Sequence, residues 1–224
     1  MELAGLYIFA YLIGSVPTAY LIGRLVKGID IRQYGSGNVG GTNVAQHVGK
    51  LWFVFLTLFE VLGKGAAPVW VGVYGLGLDP ASWPLLTAPL LAVAGHNWSV
   101  FLKFQGGRGV AVAGGTVLAL SLPVWAIACL VALVGWALTR SSGVWVLVSL
   151  ASLPVWTLLF GEASNLIWYS VVLLGVVVLK RLLSNWTPFP RELPRRQVLF
   201  NRLFRDRDVK GRGQWVGRMP GGTE

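Results

Sequence analysis

The chain has 224 residues, 54% hydrophobic and only 12% charged, whereas soluble domains run near ~25% charged; this balance, with 29 Gly and 11 Trp, excludes an ordinary soluble globule and points to a polytopic membrane protein. One cysteine, Cys129, and two histidines, His47 and His96, exclude a disulfide framework and a multi-histidine metal centre, so no metal or cofactor is expected. The formal net charge of +10 gathers at the end of the chain, where 11 of the 19 Lys and Arg lie from Lys180 onward against 4 of the 9 acids.

Met1 and Glu2 supply no basic n-region, and the apolar run continues to Leu25. The stretch 3–25 therefore reads as a retained helix rather than a cleaved signal. Further apolar stretches fall at 51–75, 83–101, 110–138, 144–160 and 165–183. A membrane span needs about 20 residues, so 110–138 is too long for one pass and short for two. Pro123 is tolerated at a helix start but not inside one. The run is accordingly divided into a short helix at 110–120, tilted or packed within the bundle, and a full one at 122–138.

Charge tests this division. Seven passes with the N-terminus outside place Lys27, Arg32, Lys50, Lys103, Arg108, Arg140 and the basic tail on one side, and Asp79 and Glu162 on the other, as the positive-inside rule asks. Six passes would strand Arg140 or the tail. The expected fold is thus all-α, a bundle of about seven transmembrane helices with a cytoplasmic C-terminus. Ten of the 11 tryptophans fall near span ends, where their amphipathic rings suit the interface. Residues 1–185 form the expected membrane domain. Residues 186–224 form a basic cytoplasmic tail, partly disordered beyond Arg205 and better suited to anionic headgroups than to nucleic acid.

Polar residues outside the tail cluster in two inside loops. Tyr34–Asn43 is rich in Gly, Ser, Thr and Asn, which can converge N–H and side-chain donors on an anion; a plain connecting loop has the same composition. Gly95–Val110 ends in Gly-Gly-Arg-Gly at a helix entrance, where free N–H groups and the helix dipole favour phosphate and Arg108 can grip it bidentately. A positive-inside turn with capping glycines is the alternative. Glu60 and Lys64 share one apolar span at i, i+4, as a functional pair or a structural ion pair. No Walker A spacing, Asp-rich metal motif or Ser-His-Asp set is present in the sequence. A phosphorylated substrate handled by positioning and electrostatics is the reading these loops favour.

The segments Ala10–Pro17, Tyr20–Arg24, Asp30–Gly40, Thr42–Asn43 and Gly49–Lys50, with Lys64–Gly65 and Gly95–Ala111, resemble the bacterial acyl-phosphate:glycerol-3-phosphate acyltransferases, the PlsY family, over residues 5–185. The resemblance implies a seven-helix enzyme of the bacterial inner (cytoplasmic) membrane. Such an enzyme passes an acyl group from acyl phosphate to glycerol 3-phosphate, giving lysophosphatidate for phospholipid biosynthesis, among membrane lipids and without a cofactor or nucleic acid. By position it implies Ser36, His96 and Arg108 as catalytic residues, and Asn38, Thr42, Asn43, Lys64, Asn97, Gly106, Gly107 and Gly109 as substrate and phosphate ligands. The chain departs from the family pattern at Gln46 (Arg in the family), Arg108 (Lys), Val112 (Thr) and Leu182 (His); His47 is a candidate replacement beside Gln46. A weakly active or inactive paralogue that binds a phosphorylated polyol or lipid, and a small transporter of a phosphorylated compound, are the alternatives.

Overall fold

The computed structural model describes residues 1–186, 188–190 and 193–208, and every regular element among them is a helix. The expectation of residues 209–224 as a partly disordered end lies outside the described residues. The 3–25 stretch is not one helix. Helix α1 (Glu2–Ser15) stops and α2 (Thr18–Lys27) restarts after a bend of 40°. The cause is Pro17, which cannot donate to the preceding turn and forces Val16 out of helical geometry (ψ 119°). Carbonyls freed at such a break need partners in a membrane. Ser15 O accepts from Ser99 Oγ at 2.5 Å, and Val16 O accepts from Lys64 Nζ at 2.7 Å.

The connection that follows is ordered as well. Asp30 caps a 3₁₀ turn at Ile31–Gln33, and α3 (Gly41–His47) packs Val44 into a small core with Ile31, Val39 and Leu56. Helix α4 (Lys50–Gly75) contains a π-helical stretch at Phe59–Ala66 that carries both Glu60 and Lys64. Wide turns of this kind often mark functional positions within otherwise regular helices. Helix α5 (Trp83–Asn97) starts on Ser82, whose Oγ accepts from Leu85 N, with Pro84 in the first turn.

The long apolar run divides where the sequence places the division. Ser121 is extended between α6 (Val110–Leu120) and α7 (Leu122–Thr139), and its hydroxyl is held 2.5 Å from Glu162 Oε1. Helices α8 (Ser142–Leu159) and α9 (Ser164–Leu183) complete the bundle. Among the described residues five helical segments are long and apolar enough to cross a membrane: Lys50–Gly75, Trp83–Leu102, Leu122–Thr139, Ser142–Leu159 and Ser164–Leu183. The bent α1–α2 pair raises this to six, and Val110–Leu120 is apolar but shorter.

Small residues set the closest helix contacts, as expected where apolar surface alone gives little drive to associate. Gly14 of α1 lies on the Ala92 backbone of α5, and Gly65 of α4 lies on Gly115 of α6. The core between them holds Leu6, Leu86, Val93, Val112, Leu153 and Leu173, while Phe55, Leu58, Leu130, Leu133, Leu158 and Trp168 face outward. Exposed apolar surface on this scale suits lipid.

The part of the basic tail that is described does not trail away. Helix α10 (Arg195–Phe200) and a π turn at Asn201–Arg205 fold back onto α8 and α9, burying Val198, Asn201 and Arg202.

Candidate active site

Where α3, α4, α5, α6, α8, α9 and the tail meet, they enclose a cavity of about 380 Å³. Its walls divide by chemistry. One side is the polar loop, with Ser36, Asn38, Gly40, Thr42 and Asn43. The floor is Glu60 and His96; the cationic side is Arg108, Arg181, Arg205 and Arg207; Phe53, Val110, Ala111 and Val146 supply apolar surface.

The Ser36 loop owes its shape to Asn43. This side chain is 2% exposed; its amide nitrogen donates to Tyr34 O at 2.8 Å, Asn38 O at 3.1 Å and Ile31 O at 3.3 Å. Its Oδ1 accepts from Ser36 N at 3.3 Å. Both ends of the amide are therefore engaged inside the loop, and Asn43 organises the loop from within. Ser36 Oγ accepts from Asn38 N at 3.3 Å, and Thr42 is exposed on the same wall. Upstream, Asp30 accepts from Arg32 N, Nε and Nη2 at 3.1, 2.9 and 2.7 Å and from Arg24 Nη2 at 3.4 Å. The Arg32 guanidinium holds the Asp30 carboxyl below the usual carboxylate range and is itself held above the ordinary arginine value.

The second loop closes on the end of α5. Gly106 N donates to Asn97 O and Gly107 N to His96 O, at 3.1 and 3.0 Å. Gly107 is packed so tightly on the His96 imidazole that any Cβ there must displace the ring, and Gly109 takes φ +73° as the cap of α6. His96 Nδ1 lies 3.6 Å from Glu60 Oε1, and Lys64 Nζ lies 3.8 Å from the same oxygen, so the expected i, i+4 pair forms and is shared with the histidine. Glu60 Oε1 is buried without a hydrogen bond.

The structure brings Ser36, Asn38, Thr42, Asn43, His96, Arg108 and Gly109 to one cavity. Lys64, Gly106 and Gly107 instead line a void of about 10 Å³ beneath it, where Lys64 is 1% exposed and donates to Val16 O. Asn97 lines neither space; both its side-chain polar atoms are buried without a hydrogen bond, against Gly109. His47 packs on the Tyr34 ring at 5.4 Å, and neither it nor Gln46 is part of the cavity wall.

Three groups lie outside the residues that the sequence assigns to the site, although Arg181 and Asn185 fall in the closing motif of the resemblance. Lys180 donates to Asn97 O and, at 2.5 Å, to Asn185 Oδ1, while Asn185 Nδ2 donates to Gly106 O at 3.0 Å. This links the end of α9 to the glycine loop. Arg181, 1% exposed, reaches the cavity and donates to Gly143 O and Leu203 O at 2.8 and 2.9 Å. Arg205, Asp206 and Arg207 arrive from the tail, with Asp206 Oδ1 3.1 Å from Arg108 Nη1. A cationic pair at the end of an apolar span was the available signal; the charge count assigned Lys180 and Arg181 to orientation, whereas burial gives them structural and site roles.

A family model described as "Glycerol-3-phosphate acyltransferase" matches residues 4–187. The "Glycerol-3-phosphate acyltransferase 5" of Dehalococcoides mccartyi (strain ATCC BAA-2266 / KCTC 15142 / 195) is 35% identical over 218 residues, covering 94% of this chain and 91% of its own. The crystal structure of PlsY (YgiH), an integral membrane glycerol 3-phosphate acyltransferase, in its glycerol 3-phosphate form is similar with a TM-score of 0.75 and 34% identity, over 81% of this chain and 88% of that one. Its lysophosphatidic acid form gives 0.74 and 33%, over the same shares.

Proposed function

The chain belongs to the glycerol-3-phosphate acyltransferase family, and from that premise we propose that it transfers an acyl group from acyl phosphate to glycerol 3-phosphate in the bacterial inner membrane. The products are lysophosphatidate and inorganic phosphate. A glycerol hydroxyl oxygen bonds to the acyl carbon, the carbon–oxygen bond to phosphate breaks, and the hydroxyl proton leaves to a base. The observation that carries this reading is the single cavity in which a polar loop, a buried carboxylate–imidazole pair and a cluster of guanidinium groups meet beside an apolar wall. Acyl phosphate is already activated, so the protein needs chiefly to position two phosphates and neutralise the leaving one.

Ser36, Asn38 and Thr42 orient the acceptor. Arg108, with the N–H groups at the start of α6, takes phosphate charge, and His96 with Glu60 assists proton removal. Asn43, Asn97, Lys64, Gly106 and Gly107 act from behind these groups, by holding the loop, the end of α5 and the histidine. Seven passes, counting the broken first span and the short α6, with the N-terminus outside, match the gathering of every inside loop at this cavity and of Asp79 and Glu162 at the far end. In this reading residues 1–185 are the membrane acyltransferase unit and residues 186–224 a basic cytoplasmic tail whose first part closes over it.

Purified protein in detergent, given acyl phosphate and glycerol 3-phosphate, is expected to form lysophosphatidate with stoichiometric phosphate release. Ser36→Ala and Arg108→Ala each abolish it. Phosphate release without lysophosphatidate, or substrate binding without turnover, overturns the assignment.

A further inference from the structure

The family match ends at residue 187, yet the chain beyond it returns to the cavity. Its seat on the bundle is built. Val198 is fully buried, Arg181 donates to Leu203 O, and Arg202 donates to Leu182 O at 3.1 Å. Arg202 also pairs with Asp208 at 2.6 Å, and Asn201 Nδ2 donates to Asp208 O at 3.0 Å, closing the segment on itself. Gly143 of α8 admits the returning backbone: a Cβ there would lie 2.9 Å from Arg205 C and O.

That seat carries the next three side chains into the cavity wall. Arg205 is held by Asn201 Oδ1 at 2.5 Å; Asp206 takes a left-handed turn (φ 56°) and approaches Arg108, while Arg207 follows on the same wall. The 3.1 Å approach is off-axis, so Arg108 Nη1 and Asp206 Oδ1 are both buried without a hydrogen bond. Two carboxylates, Asp206 and Glu60, thus share the cavity with Arg108, Arg181, Arg205 and Arg207, an excess of two cations. A phosphate monoester dianion is the anion that four guanidinium groups would draw in.

We propose that residues 195–208 are a built-in cap of the phosphate subsite, in which Arg205 and Arg207 bind a substrate phosphate together with Arg108, and Asp206 holds Arg108 in place until that phosphate displaces it. The inference rests on the function proposed above for the identity of the anion. The phosphate is that of the acceptor or of the acyl donor, and kinetics separates the two.

Binding of inorganic phosphate and of glycerol 3-phosphate is measured calorimetrically on the full chain in detergent, alongside kcat and both KM values. Arg205→Gln and Arg207→Gln each weaken phosphate binding about 10-fold or more, with partial recovery in Arg205→Lys. The KM that rises names the source of the phosphate. Asp206→Asn tightens phosphate binding several-fold, because the competing carboxylate is gone; weakening would mean that Asp206 only seats the tail, and would overturn the exchange. Gly143→Val, which displaces the cap without removing a charge, weakens binding as the arginine variants do, whereas Gln197→Ala on the exposed face of α10 does not. Lysophosphatidate formation with affinities and KM values indifferent to Arg205→Gln and Arg207→Gln overturns the cap and leaves the function standing. Cap-dependent phosphate binding without lysophosphatidate formation overturns the function and leaves the cap.

Discussion

A single methyl group at Gly107 tests whether His96 works where the structure places it. A Cβ built there lies 2.9 Å from His96 Cε1 and 3.1 Å from Cδ2, and closer still to Nε2. Carbon atoms prefer to stand about 3.5–4.0 Å apart, and the nearest ring atom, Nε2, sets the shift, so Gly107→Ala pushes the ring away by about 1 Å or more. The ring is the only yielding partner, since the backbone around it is tied by the Gly106–Asn97 and Gly107–His96 hydrogen bonds. Overpacking of this kind destabilises by about 1–3 kcal/mol, which the fold survives. A displacement near 1 Å at a reacting group lowers turnover about 100-fold. The assay is the initial rate of lysophosphatidate formation in detergent, with thermal unfolding of the same preparations. Gly107→Ala should lower kcat about 100-fold with a modest loss of stability. Gly106→Ala, whose Cβ meets the Asn97 backbone at 2.8 Å, should lose folding yield instead. The decisive comparison is the double variant. In a His96→Ala background the methyl has room, so adding Gly107→Ala should change kcat little. A further large loss there, or wild-type kcat in Gly107→Ala alone, refutes the placement of His96 in the reaction.

Glu60→Gln removes the buried carboxylate shared by His96 and Lys64 and is expected to lower kcat by about 10²–10⁴ if the pair assists proton removal. A Glu60→Gln, Lys64→Met double variant that regains full activity would show instead that Glu60 only balances Lys64. Asp30→Asn keeps a capping oxygen but removes the charge paired with Arg32 and Arg24, and is expected to cost about 0.5–1 kcal/mol of stability, measured by thermal unfolding across pH. Because the folded carboxyl is held low by Arg32, the aspartate's contribution is full above its unfolded value near about 3.9 and is lost as pH falls through the lower folded value. The gap between wild type and variant should therefore stay level from pH 8 to 5; a gap that closes within that window contradicts the assignment. Gly65→Leu, forced onto the Gly115 backbone at 2.7 Å, should separate α4 from α6 and abolish folding in detergent, measured as loss of monodisperse protein.

Much of the site was legible because its parts are local. The Ser36 loop, the His96–Gly109 loop and the division at Ser121 each rest on residues no more than 13 positions apart. Composition and the known behaviour of Gly, Pro and helix entrances reach that far. The Glu60–Lys64 pair was legible for the same reason, being one turn apart on one helix. The setting of Asn43 was not. A side chain that holds a loop and one that faces a ligand have the same formula, and only the count of partners inside the fold separates them. The setting of Lys64 was not legible on similar grounds: it depends on the bend at Pro17, which presents the Val16 carbonyl to its Nζ.

The sequence by itself determined the class of this protein, the positions of its apolar segments and the gathering of positive charge at one end, since these follow from composition and the span length a bilayer demands. Only the tertiary structure decided which positive charges meet at the cavity. Arg181 and Arg205 become neighbours of Arg108 through contacts between residues 73 and 97 positions apart in the chain, and no local pattern encodes such a meeting. The charge that the sequence could read only as a mark of sidedness supplies, once the tail folds back over Gly143, much of the cation density around the cavity.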